Sequence, residues 1–125
     1  RKKYATKYCS NRCQIDFQYK KYISAWRKGD RDGNRGVNAK NLSGHLLRFL
    51  TEKYGDMCSQ CKWHKKSPYT NRVPLEVDHI DGNAENNSED NLRLLCPNCH
   101  ALTSSFRNLN KGKGRGWRCA YSQRK

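Results

Sequence analysis

The sequence predicts a small α+β fold that zinc stabilises, with two α-helices ahead of the core and a basic, flexible C-terminal tail. Apolar residues recur at helical spacing in two early segments, whereas residues 74–95 carry two short strand patterns. Four cysteines form two C-x-x-C pairs, a spacing suited to one tetrahedral ion. A chain of 125 residues that is only 34% hydrophobic is lean for a core, so we expect a metal clamp to supplement packing.

Two helices are predicted in the first half of the chain. The first covers roughly residues 11–28, with Ser10 as its N-cap. Its apolar positions recur at helical spacing and are Ile15, Tyr19, Tyr22, Ile23 and Trp26. A hydrophilic, glycine-rich linker follows at residues 28–36, and a second helix is predicted over about 40–54, with Gly55 as its stop. Its apolar stripe is Leu42, Leu46, Leu47, Leu50 and Tyr54.

Two strands and a helix are predicted in the second half. Residues 74–78 alternate apolar and acidic side chains, as a half-buried strand does, and residues 92–95 form the second short strand. A long polar loop at residues 81–90 separates them. Pro97 suits the first turn of a helix that we expect to reach about Phe106. Beyond Asn110 the sequence is glycine-rich and basic, which predicts the flexible tail.

The charge of the chain is strongly positive and unevenly distributed. Lys and Arg number 26 against 11 acidic residues, a formal net charge of +15. Such an imbalance favours a polyanionic partner, with nucleic acid first, although a basic surface can also serve solubility alone. Residues 73–92 reverse the pattern, since they hold six acids and no Lys or Arg. No apolar run is long enough for a signal peptide or a membrane span, so we expect no membrane partner and an intracellular protein.

The cysteine pairs predict one structural zinc site. Cys58 and Cys61 precede Cys96 and Cys99 by a gap of 34 residues, which leaves room for a strand, a loop and a second strand between the knuckles. Four thiolates leave no open coordination position, so this zinc should not be catalytic. A C-x3-C pair near the start, Cys9 and Cys13, has two interpretations. It is either half of a possible second zinc site with ligands upstream of Arg1, or two ordinary buried thiols.

One constellation of residues lies inside and just beyond the clamp. It begins with Asp78-His79-Ile80-Asp81-Gly82-Asn83, continues with Asn91, and ends with His100 directly after Cys99. From about Cys58 to Phe106 this pattern resembles the HNH endonuclease family, and it is similar to phage-encoded, homing-type members. The resemblance implies a ββα-metal (His-Me finger) core, in which a β-hairpin and a helix grip one metal ion, and an enzyme that hydrolyses DNA phosphodiester bonds.

The resemblance also implies a role for each residue of the motif. His79 would activate the attacking water, and a neutral imidazole is a suitable base near pH 7. Asn91 would fix that imidazole through a backbone or side-chain hydrogen bond. Asp78 and His100 would bind one divalent cation, with Mg²⁺ the first expectation and Mn²⁺ or another transition metal the alternatives.

Neighbouring polar residues have simpler interpretations. Asp81 and Gly82 form a common turn dipeptide, so we interpret Asp81 as a turn residue rather than a ligand. The loop asparagines Asn83, Asn86 and Asn87 are interpreted as capping and turn residues. Glu76 lies on the same strand face as Asp78 and is a candidate to support the metal ligands.

Three regions follow from these assignments. Residues 1–36 form a basic N-terminal arm with the partial zinc knuckle, helix and linker, residues 37–110 the nuclease domain, and residues 111–125 the basic tail. The expected partner is double-stranded DNA, the expected state a monomer or weak dimer, and the expected location the cytoplasm, of a bacterial host if the protein is phage-encoded. The residues expected to contact DNA are Lys20, Lys21, Arg27, Lys62, Lys65, Lys66, Arg107, Lys111, Lys113 and Arg115.

Several alternatives stay open at this stage. A non-catalytic, zinc-dependent DNA-binding module would carry the same clamp and the same basic arms. An RNA nuclease would share the chemistry. Nicking and double-strand cleavage are both compatible with the motif, and so are homing, restriction, packaging and recombination.

Overall fold

Helix α1 (Asn11–Arg27) is the first element of this computed structural model, which describes residues 8–36 and 41–110. Ser10 caps the helix as predicted, since its hydroxyl accepts a hydrogen bond from the Cys13 N–H at 3.2 Å. The predicted stripe is buried from Tyr19 onward, but Ile15 is 54% exposed. The partners that cover the helix, among them the ring of His45 against Tyr19, contact its second half. The first turns therefore lie outside this unit's core.

The described residues fall into two units, one that ends at Leu46 and one that begins at Leu47. In the first unit, the glycine-rich segment after α1 pairs with the residues that precede α2. Asn34 and Leu42 form an antiparallel bridge, and the Ser43 N–H donates to the Gly33 carbonyl at 2.9 Å. The backbone of this segment is thus hydrogen-bonded over residues 33–35.

Helix α2 spans Gly44–Tyr54, which is shorter at its start than predicted. Its buried positions are Leu46, Phe49 and Leu50, whereas Leu47 and Tyr54, both predicted to be buried, are 40% and 44% exposed. The buried residues lie at positions i, i+3 and i+4 counted from Leu46, and Leu47 lies beside this face. Gly55 ends the helix with a φ of +85°, the left-handed conformation that glycine adopts at low cost.

An antiparallel hairpin is the centre of the second unit. Strand β1 spans Glu76–His79 and strand β2 spans Leu92–Leu95, with Asp78 opposite Arg93. The predicted bounds of β2 are confirmed. Strand β1 begins two residues later than predicted, because Pro74 has no N–H and the Leu75 N–H donates to the Val73 carbonyl at 2.8 Å.

Helix α3 spans only Pro97–Ala101, so the predicted extension to Phe106 is wrong. Thr103 explains the early end, because both its N–H and its hydroxyl donate to the His100 carbonyl, at 3.2 and 2.9 Å. Turns follow, with a 3-10 helix at Arg107–Asn110. The predicted tail at 111–125 lies outside the described residues.

The core of the second unit is built around β2 and the cysteines. Leu94 and Leu95 are fully buried, and Leu95 packs in a cluster with Cys58 and Cys96. Trp63 and Leu75 close the edge of that cluster. The α+β class is therefore confirmed, and two of the thiols, those of Cys58 and Cys96, belong to the core. In the described part of the chain, no helix has the length and apolar character needed to cross a membrane.

Candidate active site

Four thiols from two knuckles meet at the base of the hairpin. The Sγ atoms of Cys58, Cys61, Cys96 and Cys99 all lie within 4.8 Å of one another, and those of Cys61 and Cys96 are 3.7 Å apart. Ligands about 2.3 Å from a tetrahedral zinc ion require sulfur separations of about 3.8 Å. The structure thus brings together the four predicted ligands in a cluster that could hold one metal ion.

Backbone hydrogen bonds set the position of each knuckle. In the first, the Lys62 N–H donates to the Cys58 carbonyl at 3.0 Å, and Lys62 takes a left-handed φ of 64° to close the turn. The Ser59 N–H donates to the Leu94 carbonyl at 2.8 Å, which docks this knuckle on β2. In the second, the Cys99 N–H donates to the Cys96 sulfur at 3.4 Å at the start of α3.

The environment of the cluster differs from one thiol to the next. Burial opposes ionisation of Cys58, but N–H groups of Cys61, Cys96 and Gln60 lower the pKa of this thiol to about 6. Hydrogen bonds with the Cys96 and Cys61 sulfurs, together with burial, raise the pKa of Cys99 to about 12. Ionising all four thiols therefore calls for a bound cation, as zinc sites require.

The other predicted thiol pair lies at the start of α1. Cys9 and Cys13 are both exposed, and a hydrogen bond with Cys9 is the main cause that lowers the pKa of Cys13. The two thiols are thus neighbours on the surface rather than core residues. Among the described residues, the only group of three or more potential ligands is the one built on Cys58.

A cleft of about 600 Å³ contains the predicted metal ligands and the predicted base together. Asp78, His79 and His100 all line it. Asp78 Oδ1 lies 3.9 Å from His100 Nε2. Two ligands about 2.1 Å from a shared ion can be up to about 4.2 Å apart, so this carboxylate and this imidazole fit one divalent cation.

Protein contacts orient both candidate ligands. Asp78 is 5% exposed, and its second oxygen accepts a hydrogen bond from Arg93 Nε at 2.7 Å across the hairpin. Glu76 Oε2 pairs with His100 Nδ1, which turns Nε2 of that ring toward Asp78. Phe106 packs edge-on against the same imidazole, with ring centroids 5.5 Å apart. The interpretation of Glu76 as a supporting residue agrees with these contacts.

The candidate base His79 is held by Asn87. His79 Nε2 lies 2.7 Å from Asn87 Oδ1. An amide oxygen only accepts hydrogen bonds, so a neutral His79 ring in this contact has its proton at Nε2 and its lone pair at Nδ1. Sequence reasoning placed Asn87 among the turn residues. Its position in a polar loop gave no indication of this contact, although it is only 5% exposed.

The side chain of Asn91 hydrogen-bonds the loop after β1, whereas the resemblance implied that Asn91 fixes the His79 imidazole. Its side-chain amide donates to the Asn86 carbonyl at 2.8 Å and to Asp81 Oδ1 at 2.9 Å, and its Oδ1 accepts from the Asp81 N–H at 3.0 Å. Its carbonyl accepts from the Ile80 N–H at 2.9 Å, which extends the strand pairing past His79. Asn91 therefore closes the loop next to the imidazole and does not hydrogen-bond the ring itself.

Asp81 is part of the same loop closure, as its interpretation as a turn residue implies. Asn86, then the Asn83 N–H and Asn91, donate to this carboxylate and lower its pKa. Gly82 follows with a φ of +75°, and a Cβ there would lie 3.0 Å from side-chain atoms of both Ser105 and Asn110. The sequence predicted the turn. It did not predict the close approach of Gly82 to Ser105 and Asn110, because that approach depends on how distant segments pack in the folded chain.

The predicted DNA contacts are spread over several segments. Lys20, Lys21 and Arg27 lie on α1, whereas Lys62, Lys65 and Lys66 follow the first knuckle and are exposed. Arg107 lines the cleft, with its guanidinium 4.9 Å from the centroid of the Phe106 ring. The remaining three, Lys111, Lys113 and Arg115, lie outside the described residues.

A hairpin and a short helix bring a carboxylate and two imidazoles to one cleft, beside a four-thiol cluster. Residues 58–106, less than half of the chain, match a family model described as HNH endonuclease. The H-N-H endonuclease F-TflIV of Escherichia phage T5 is 58% identical over 41 residues, which are 33% of this chain and 18% of the phage protein. No solved structure matches the chain. Residues 58–106 are thus similar to HNH endonuclease domains.

Proposed function

We propose that this protein is a metal-dependent endonuclease that hydrolyses DNA phosphodiester bonds in the cleft between the hairpin and α3. The observation that carries the proposal is the meeting of Asp78 Oδ1 and His100 Nε2, 3.9 Å apart, in the cleft that His79 also lines. The HNH match over the same residues supports it. Because the matched segment is 18% of the phage relative's length, the substrate and the cleavage mode of the whole protein also belong to this proposal.

His79 acts as the general base. With its ring proton at Nε2 directed to Asn87, the lone pair of Nδ1 is available to take a proton from water. The water oxygen then bonds to phosphorus as the bond to the 3′ oxygen breaks, which leaves a 5′ phosphate. Asn91 contributes indirectly, because it closes the loop that starts one residue after His79.

Asp78 and His100 hold the catalytic divalent cation, for which Mg²⁺ is the first candidate and Mn²⁺ or another transition metal the alternatives. When bound, such an ion stabilises negative charge on the scissile phosphate and on the departing oxygen. Glu76 and Phe106 keep the His100 ring in its orientation, and Arg93 holds the second oxygen of Asp78. The ion therefore meets two ligands that the protein has already positioned.

A structural zinc ion bound by the four clustered thiols holds the two knuckles together. All four sulfurs are within 4.8 Å of one another, and a tetrahedral zinc with four thiolates has no position left for substrate. We assign no reaction step to this site.

Double-stranded DNA is the proposed substrate, and the formal charge of +15 supports a polyanionic partner. One active site per chain favours nicking by a monomer, with double-strand breaks arising from a weak dimer or from two events. The phage origin of the similar endonuclease favours a homing-type enzyme that acts in the cytoplasm of a bacterial host.

His79→Ala tests the proposal most directly. With Mg²⁺ or Mn²⁺, we expect the unchanged protein to nick supercoiled plasmid, and the variant to lose on the order of 10²- to 10⁴-fold in rate while it still binds DNA. His64→Ala is the matched control, because His64 is exposed and does not line the cleft.

The opposite result has a defined meaning. If the unchanged protein binds DNA but cuts neither strand with either metal, the chain is a zinc-dependent DNA-binding module and the proposed catalysis is wrong. Labelled RNA digested in parallel decides between the two nucleic acids.

A further inference from the structure

We propose that a basic cavity in the first unit binds a phosphodiester of the DNA backbone, at a site that none of the hydrolytic residues share. The cavity has a volume of about 480 Å³ and lies where α1, the segment after it and the start of α2 meet. Lys21, Arg31 and Arg35 line it, and no Asp or Glu does. The proposal rests on the proposed function only in taking double-stranded DNA as the ligand.

The three cations come from different segments, so the fold assembles them. Lys21 belongs to α1, whereas Arg31 and Arg35 belong to the glycine-rich segment that follows it. None of the three forms an ion pair with a described carboxylate. The nearby Asp32 accepts from the N–H and side-chain amide of Asn34, at 2.9 and 3.0 Å. Asp32 keeps its charge and lies near enough to act on Tyr22, but the three cations that line the cavity outnumber this one acid.

The walls of the cavity are fixed by hydrogen bonds. Tyr22, another lining residue, donates its hydroxyl to the Asn34 carbonyl at 2.8 Å, and burial raises the pKa of this phenol, which keeps it a donor. The Arg31 guanidinium lies 5.5 Å from the centroid of the Tyr22 ring. The Arg35 N–H donates to the Asn41 carbonyl at 2.7 Å. The ring contact positions the Arg31 guanidinium, and the bond to Asn41 fixes the backbone at Arg35, before any ligand arrives, which lowers the entropic cost of binding.

The start of α2 adds to the positive potential of the cavity. Ser43 and Gly44 both line it, and Ser43 is 4% exposed. A Cβ built on Gly44 would meet no atom within 4 Å, so open space borders this residue. Ser43 already accepts the His45 and Leu46 N–H groups, so the contribution of this helix end is the partial positive charge of its dipole. Together with three cations, this end of α2 suits a phosphate.

The chemistry of the cavity identifies its occupant as nucleic acid backbone. Its volume is several times that of one phosphate group, so it can admit a phosphodiester with the neighbouring sugars. Lining arginines suit planar, bidentate recognition of phosphate oxygens, and the adjacent lysine adds a point charge. Such contacts position a protein on DNA without reading its sequence.

The double variant Lys21→Gln/Arg35→Gln tests the inference. Its matched control, Arg12→Gln/Lys28→Gln, removes the same two charges from the same region but outside the cavity. Binding to a mixed-sequence duplex is measured by fluorescence anisotropy at salt concentrations from about 50 to 200 mM, without added divalent cation. The binding constant K falls with salt, so the slope of log K against log salt is negative. Each lost phosphate contact makes this slope less steep by about 0.9. We expect a loss of about one contact in the cavity variant and none in the control.

Two results would overturn the inference: an unchanged slope in the cavity variant, or an equal reduction in the control, which would indicate general charge rather than a site. Circular dichroism checks the fold, and Lys21→Gln alone, on an exposed helix position, repeats the test if the double variant is disturbed. A protein that shows the expected slopes but never cuts DNA contradicts the proposed function and leaves this inference standing.

Discussion

At the scale of single residues, the tautomer of His79 depends on one buried amide. Asn87 is 5% exposed, and its oxygen holds His79 Nε2 at 2.7 Å. If this hydrogen bond were absent, the ring could rotate or take the other tautomer, and Nδ1 would no longer be held as the acceptor. A residue placed among turn formers by its sequence context is therefore part of the candidate site.

Asn87→Ala should slow cleavage without weakening DNA binding. The base remains but its orientation is lost, and losses on the order of 10- to 100-fold are typical when a side chain that orients an imidazole is removed. We expect the loss in the rate constant of the cleavage step, with a Kd for DNA close to that of the unchanged protein. Plasmid nicking under single-turnover conditions and anisotropy binding measure the two quantities.

Asn98→Ala is the control, since Asn98 is exposed in the first turn of α3 and does not line the cleft. A normal cleavage rate in Asn87→Ala would show that His79 is oriented by other groups. Asn87→Gln extends the test, because the longer side chain keeps an amide oxygen but displaces it, and an intermediate rate is expected.

The meeting of Asp78, His79 and His100 in one cleft was predictable from sequence for a physical reason. Asp78 and His79 are neighbours at the end of a strand, and His100 follows Cys99, so the thiol cluster fixes the distance between the two ends of the motif. Asn87 has no such constraint. Its contact depends on the path of a loop, which single-residue preferences do not specify.

At the scale of elements, the loop between β1 and β2 is closed by polar side chains rather than by packing. Asp81 accepts hydrogen bonds from the Asn83 N–H, Asn86 and Asn91, and these bonds lower its pKa. A carboxyl whose pKa is lowered in the folded state stabilises the fold above its unfolded pKa, which is about 4, and loses this contribution as the pH falls through the folded value.

Asp81→Asn should therefore lower the Tm at pH 7, and the deficit should narrow as the pH falls below about 4 toward the lowered pKa of the folded state. An amide at this position presents hydrogens to the Asn86 and Asn91 amides, so at least one of these bonds is lost. Differential scanning calorimetry from pH 7 to the lowest pH of cooperative melting measures the difference between the two proteins. Acid effects on the thiol cluster are common to both proteins and cancel in that difference.

Glu85→Gln is the matched control, because Glu85 is an exposed acid of the same loop. It should leave the Tm unchanged across the range. A deficit in Asp81→Asn that stays constant with pH would mean that steric change, not the charge, causes the loss.

Local signals explain which elements the sequence predicted well. Helix α1 has an N-cap in Ser10 and a repeating aromatic stripe, and β2 is a run of leucines bounded by Cys96, so both were found close to their observed bounds. The end of α3 was not predicted. It depends on the hydrogen bond from the Thr103 hydroxyl to the His100 carbonyl, and helix propensities do not specify this contact. Leu47 was assigned to the buried face since its neighbour Leu46 occupies that face, yet it is 40% exposed.

At the scale of the whole molecule, the four-thiol cluster and the small core of the second unit cannot be separated. Cys58 and Cys96 are buried in the same cluster as Leu95, and Trp63 and Leu75 pack against them. The chain is only 34% hydrophobic and carries a net charge of +15, so apolar burial is limited and self-repulsion is large. The composition and the cysteine spacing indicated this balance before the fold was known.

Removal of zinc should therefore unfold the second unit and abolish cleavage. Structural zinc sites contribute about 10 to 16 kcal/mol of apparent binding free energy in small zinc peptides, which is as large as the whole stability of a typical domain, about 5 to 15 kcal/mol. After a chelator and dialysis, we expect the cooperative melt to disappear, with recovery on adding Zn²⁺ but not Mg²⁺, as circular dichroism and metal analysis would report.

Cys58→Ser/Cys61→Ser should reproduce the loss, whereas Cys9→Ser/Cys13→Ser, outside the four-thiol cluster, should leave the melt and the nicking activity intact. If the protein keeps its Tm after the chelator treatment, apolar packing of leucines and aromatic residues stabilises this unit without a metal ion. The thiols would then be ordinary side chains of the fold.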